Sequence, residues 1–134
     1  MPGKLKLADD DGCFVCGRSN PIGLKLEFAE EGDEYVTYFT PRKEHQGFVD
    51  IVHGGLVGTV LDEVMVRYAY VLGRGAVTAE MTLRLKRPAR VGSTLRVAAR
   101  ILSEDRRLIN AAATATDSDG RVVAEATARM MKVT

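Results

Sequence analysis

Apolar residues recur along this chain with two different periods. Leu24-Lys25-Leu26-Glu27-Phe28 alternates apolar with polar side chains, the period of a half-buried strand. Glu30-Glu31-Gly32-Asp33 supplies a turn, and Tyr35 to Thr40 is rich in strand-forming residues, so the two segments are predicted to form a hairpin. Pro41 to Ile51 is irregular. From Gly54 to about Leu72 the period changes: Leu56, Val57, Val60, Leu61, Val64, Met65 and Tyr68 recur at helical spacing, with Val66 and Ala69 widening the apolar surface. A helix apolar round most of its circumference is expected to be buried on nearly every side, and Gly73 and Gly75 are expected to end it.

The remainder alternates again. Val77, Ala79, Met81, Leu83 and Leu85 are predicted to share one face of a strand, with Thr78, Glu80, Thr82, Arg84 and Lys86 on the other. Pro88 to Gly92 turns the chain. Strands are expected at Thr94–Leu102, Leu108–Thr116 and Arg121–Met130, separated by polar turns short enough to favour antiparallel neighbours. Residues 1 to 23 are aperiodic and read as an N-terminal arm. One long helix with five or six antiparallel strands is an α+β layout in which the sheet curls round the helix. A single sheet cannot enclose a helix completely, so the open side calls for a second copy of the chain.

Composition narrows the class. The 134 residues fit one domain, 1–134. Nineteen Lys/Arg against eighteen Asp/Glu leave a net charge of +1, which gives no global attraction to nucleic acid or anionic membrane. No apolar run is long enough to span a bilayer. Met1 to Leu7 lacks the apolar stretch of a secretory signal, so a cytoplasmic location is expected. Cys13 and Cys16 form one C-x-x-C; a structural zinc normally takes a second pair, which only His45 or His53 could replace, so no metal is expected and free thiols are the default.

Candidate chemistry gathers where the irregular segment meets the helix. The first N–H groups of a helix have no internal partner and together carry about half a positive charge. Gly54 and Gly55 there would let a ligand approach the backbone without meeting a Cβ, which makes an oxyanion site, with substrate contact expected at both glycines. The plainer reading is that His53 caps the helix and the glycines permit tight packing. Two turns on, Asp62 interrupts the apolar run. Glu63 has Arg67 four residues on, the spacing of a surface ion pair, but Asp62 has Val66 there. A carboxylate on a buried helix is costly unless paired or put to use; capping a loop or reaching solvent is the alternative. Gly54 and Asp62 are eight residues apart, about 12 Å along a helix axis. That is too far for both to serve one carbonyl, so a joint site would take each from a different subunit across a two-fold axis.

The residues His45-Gln46-Gly47-Phe48, the run from Val52 to Glu63 (VHGGLVGTVLDE), Val77 to Met81 and Arg87-Pro88 resemble the hotdog-fold acyl-CoA thioesterases, in particular the branch that includes the phenylacetate-pathway enzymes. The opening Cys13 to Leu24 (CFVCGRSNPIGL) resembles the N-terminal signature of one group of those proteins. The resemblance implies the hotdog fold, a five- to six-stranded sheet around a central helix, and hydrolysis of acyl-CoA (or an acyl carrier protein thioester) by a homodimer or dimer of dimers. No cofactor is implied beyond coenzyme A as part of the substrate. Asp62 would be nucleophile or general base, and the Gly54 amide would polarise the thioester carbonyl. His53 would orient that region, Gln46 would line it, and Thr78 would help place the water. Asp50 departs from the family, where a small residue is common.

Arg84, Lys86, Arg87 and Arg90 could hold coenzyme A phosphates or be the solvated face of a strand and its turn. Met65, Tyr68 and Tyr70 could line an acyl tunnel or pack in the core. No G-x-S-x-G elbow occurs, and Ser19, Ser93, Ser103 and Ser118 fall in predicted loops and turns. Two other functions remain open: an acyl-thioester hydratase or dehydratase of the same fold, and a non-catalytic acyl-CoA-binding protein. The first lacks a D-x-N-P-x-H signature here, since Asn20-Pro21 is followed by Ile22.

Overall fold

The computed structural model describes residues 5–133; the first four residues of the predicted arm, and Thr134 of the predicted domain, lie outside them. The chain runs β1 (Phe28–Glu31), β2 (Glu34–Phe39), a 3-10 turn (Lys43–His45), α1 (Gly54–Val71), β3 (Ala76–Leu85), β4 (Leu95–Glu104), β5 (Leu108–Thr116) and β6 (Val122–Lys132). All six strands form one antiparallel sheet in the order β1-β2-β4-β5-β6-β3. The helix lies in the hollow of this sheet. Its Val60, Leu61, Val64, Met65 and Ala69 are almost wholly buried against Val97, Ala99, Ile109, Ala111, Ala113, Ala124 and Met130 from the central strands. Burial of each large apolar side chain stabilises the fold by about 1.5–3 kcal/mol. Alanines on the concave face keep its middle shallow, so the helix can approach the backbone while larger residues close the ends.

Several sequence expectations need correction. The predicted strand over 24–28 begins only at Phe28, because Lys25 takes a left-handed conformation (φ 54°) that ends regular pairing. Leu24 and Leu26 still pack against the core, and their N–H groups donate to Phe14 and Val15 carbonyls at 2.8 and 2.9 Å. The second correction concerns α1. Its burial is one-sided: Leu56, Asp62, Glu63, Val66 and Arg67 are only half-buried, and Tyr70 is exposed. Third, Ser103 lies inside β4 rather than in a turn, its Oγ accepting from Asn110 Nδ2. Met65 and Tyr68 belong to the core, where Phe28, Tyr35 and Tyr68 stack in series at 5.4 and 5.2 Å.

β3 is an edge strand ten residues long. It does not keep one alternation throughout. Thr78 pairs with Met130 but Glu80 with Arg129, so Ala79 is an extra residue, a β-bulge. The bulge reverses the faces. Thr78 therefore points to the helix together with Leu83 and Leu85, which the strict alternation had placed on the opposite side from it. No helix among the described residues is long and apolar enough to cross a membrane.

Candidate active site

The chain enters α1 through a small folded loop. Gln46 bridges to Val52 and Ile51 to Arg90 in antiparallel fashion, and His53 N–H donates to the His45 carbonyl. Asp50 sits at the tip with φ 63°, a conformation that aspartate tolerates better than most side chains, and its N–H donates to Gln46 Oε1. Gln46 is thus engaged in holding the loop. Phe48 and Val49 are left 83% and 77% exposed.

His53 is the N-cap of α1: its Nδ1 accepts the Gly55 N–H at 3.1 Å. Because that bond consumes the Gly55 donor, it leaves Gly54 as the available donor of the pair; among the described residues the Gly54 N–H has no acceptor. Gly54 also has a packing role. A Cβ there would lie 2.7 Å from Leu85 Cδ1, and one at Gly58 would lie 2.8 Å from Leu83 Cδ2. Gly54 faces a cavity of about 420 Å³ lined also by Phe48, His53, Leu85, Lys86, Arg87 and Val123. Among the described residues no carboxylate lines it.

The predicted basic cluster divides. Lys86 and Arg87 stand at the Gly54 cavity, with Lys86 Nζ also 3.1 Å from Glu125. Arg90 lines a neighbouring hollow that shares Arg87. Arg84 lies on the outer face of the sheet beside Arg100 and Thr114, away from Gly54.

Asp62 is half-buried on α1, and Thr78 Oγ1 donates to its Oδ1 at 2.6 Å. That is the length of a charge-assisted hydrogen bond. A donor at this position fixes the plane of the carboxylate. Among the described residues Asp62 Oδ2 has no partner, so one carboxylate oxygen is held and the other is open. Neither Asp62 nor Thr78 lines the Gly54 cavity.

The neighbouring acid behaves differently from expectation. Glu63 makes no ion pair with Arg67. Arg67 turns instead to Asp9 of the arm at 3.2 Å and lies over the Tyr70 ring, while Glu63 Oε2 accepts from Cys13 Sγ at 3.4 Å. Burial, and then the Glu63 carboxylate, hold the Cys16 thiol far above the usual thiol range. Neither His45 nor His53 belongs to this cluster; their Nδ1 atoms accept from the Arg42 and Gly55 N–H groups. This cluster was missed because its partners are 50 residues apart.

A family profile described as the thioesterase superfamily matches residues 50–124, from the loop before α1 to the start of β6. The chain belongs to that superfamily, and its curled sheet around one helix is the hotdog fold. Among solved structures, the smu.793 protein of Streptococcus mutans UA159, bound to acetyl-CoA, is 20% identical over 80% of this chain and 87% of its own, with a TM-score of 0.75. The phenylacetic acid degradation-related protein of Ralstonia eutropha JMP134 is 26% identical over 81% of this chain and 85% of its own, with a TM-score of 0.72. A thioesterase superfamily protein, RHA08564, is 22% identical and matches 98% of this chain and 69% of its own at a TM-score of 0.86. No match was found among curated proteins.

Proposed function

We propose that this protein hydrolyses acyl-CoA thioesters to free acid and coenzyme A, at a site that two copies of the chain complete together. The observation that carries this reading is Asp62: a half-buried carboxylate with one oxygen held by Thr78 and the other open, on the central helix of a thioesterase-superfamily fold. Its separation from the Gly54 donor, about 12 Å along a helix axis, supports drawing the two groups from different subunits. The acetyl-CoA bound by the S. mutans neighbour supports the choice of thioester.

The open edge of β3 supplies a route to the dimer. The outer edge of this ten-residue strand, which pairs with β6 on its other side, is a template for another strand. Antiparallel pairing with the same strand of a second copy is self-complementary. β3 carries Thr78 and borders the Gly54 cavity at Leu85, so that pairing is the one that would bring both parts of the site together. It would also cover the half-buried face of α1.

In this arrangement the thioester carbonyl oxygen accepts the Gly54 N–H at the positive end of α1, where charge developing on oxygen is stabilised. Asp62 of the partner subunit acts through Oδ2. As general base it takes a proton from water while the water oxygen bonds to the carbonyl carbon. The C–S bond then breaks, and the proton passes from the carboxyl group to the departing sulfur. As nucleophile, Oδ2 would bond to the carbonyl carbon as the C–S bond breaks and the thiolate leaves. Water would then open the anhydride to free acid and the restored Asp62 carboxylate, and the proton it releases would go to the thiolate. Thr78 holds Oδ1 in either route, and Lys86 and Arg87 at the cavity are suited to coenzyme A phosphates.

The test is a panel of acyl-CoA esters assayed for free thiol, with one 2-enoyl-CoA followed by product analysis. Thiol release with free acid supports hydrolysis. Conversion of the enoyl-CoA to a hydroxyacyl-CoA with the thioester intact would indicate a hydratase, and binding without turnover a carrier.

A further inference from the structure

The face of α1 turned away from the sheet holds a second cluster that the proposed thioester mechanism does not use. Cys13, Cys16 and Glu63 each bring one ligand-type atom to within 4.8 Å of the others. Cys13 Sγ and Glu63 Oε2 are 3.4 Å apart. In a tetrahedral zinc site, with Zn–S about 2.3 Å and Zn–O about 2.0 Å, sulfur and oxygen ligands stand about 3.5 Å apart and two sulfurs about 3.8 Å apart. The three atoms need to move by no more than about 1 Å to share an ion.

The backbone around the cysteines is already built. Val15 N–H donates to Cys13 Sγ at 3.4 Å, and Gly17 N–H donates to the Cys13 carbonyl at 2.9 Å, closing a tight turn round the first thiol. Residue 17 must be glycine: a Cβ would lie 2.4 Å from Cys13 N and 2.5 Å from the Asp11 carbonyl oxygen, both backbone atoms. The returning chain at Leu24 and Leu26 bonds to the Phe14 and Val15 carbonyls and fixes this turn from the other side. Hydrogen bonds that orient ligands in advance are what surrounds metal sites. One helical turn further on, the Asp9–Arg67 pair holds the arm to the same stripe of α1.

We infer that Cys13, Cys16 and Glu63 bind one thiophilic divalent cation, zinc(II), which staples the N-terminal arm to α1. Binding releases the two thiol protons and leaves two thiolates and a carboxylate on the metal, with water in the fourth position. A Cys13–Cys16 disulfide would account for the two sulfurs but leave Glu63 without a role. A divalent cation accounts for all three donors, since it replaces the two thiol protons and balances the charge of the two thiolates and the carboxylate it binds.

Untagged full-length protein, purified under reducing conditions without chelator, provides the test. Elemental analysis should find one zinc per chain. After chelator stripping, added cobalt(II) should give sulfur-to-metal charge transfer and the visible bands of a tetrahedral site. Cys13→Ser and Cys16→Ser should abolish these signals, and Glu63→Gln should weaken zinc at least about tenfold in competition with a chromophoric chelator. The wild-type measurements require no variant to fold. The proposal is overturned by absence of zinc together with no cobalt charge-transfer band, by a Cys13–Cys16 disulfide persisting under those conditions, or by zinc affinity unchanged in Glu63→Gln.

Discussion

Thr78 Oγ1 donates to Asp62 Oδ1 at 2.6 Å, and the bond exists because Ala79 is an extra residue in β3. Without that bulge, Thr78 would share a face with Arg84 and point away from the helix. The bond does two things at once: it fixes the plane of the carboxylate and leaves Oδ2 free to act.

Asp62→Asn should therefore lower kcat by about 10²–10⁴-fold, the range of a positioned acid–base group, with little change in KM. Thr78→Val should cost about tenfold to a hundredfold, and Thr78→Ser should recover most of the loss because it restores the hydroxyl. Steady-state kinetics on one acyl-CoA ester checks both. Equal activity of Thr78→Val and wild type would show that the bond does not serve catalysis.

Much of this arrangement is legible in the sequence. The span of α1, the position of Asp62 in its apolar run and the glycines at its start follow from the helical period, and β5 is bounded as its alternation predicts. What escapes is of two kinds. Lys25 and Ala79 break a regular alternation without any change of composition, because a left-handed residue or an inserted one leaves the apolar pattern almost intact. Arg67 and Glu63 sit at ion-pair spacing, yet each finds a partner from the arm more than forty residues away, which local spacing does not register.

Gly17→Ala should destabilise the arm. The clash is with backbone atoms, which cannot turn aside as a side chain can, so a loss of about 1–3 kcal/mol is expected. Denaturant unfolding together with limited proteolysis checks this. Cleavage should begin within residues 5–23 while the sheet remains protected.

His45 gives the fold a pH dependence. Burial, and then Arg42, hold its imidazole below the usual 6.5. The neutral ring accepts the Arg42 N–H through Nδ1. A folded-state value below the unfolded one means that the unfolded chain binds the proton more readily, so stability is greatest above 6.5 and declines as pH falls through the lower folded value. The melting temperature of wild type should fall between about pH 7.5 and about 5.5. His45→Gln, with no titrating ring, should give a flatter profile over the same interval.

The division of the site between subunits is tested most directly by mixed dimers. Gly54→Pro removes the donor at a position where helices accept proline, and the new Cβ meets the flexible end of Leu85. Each single variant, Asp62→Asn or Gly54→Pro, should be nearly inactive as a homodimer. A purified heterodimer of the two has one site with both wild-type groups and one with neither, so it should regain roughly half the wild-type kcat per dimer. A heterodimer as inactive as its parents would place both groups in one subunit and contradict the shared site.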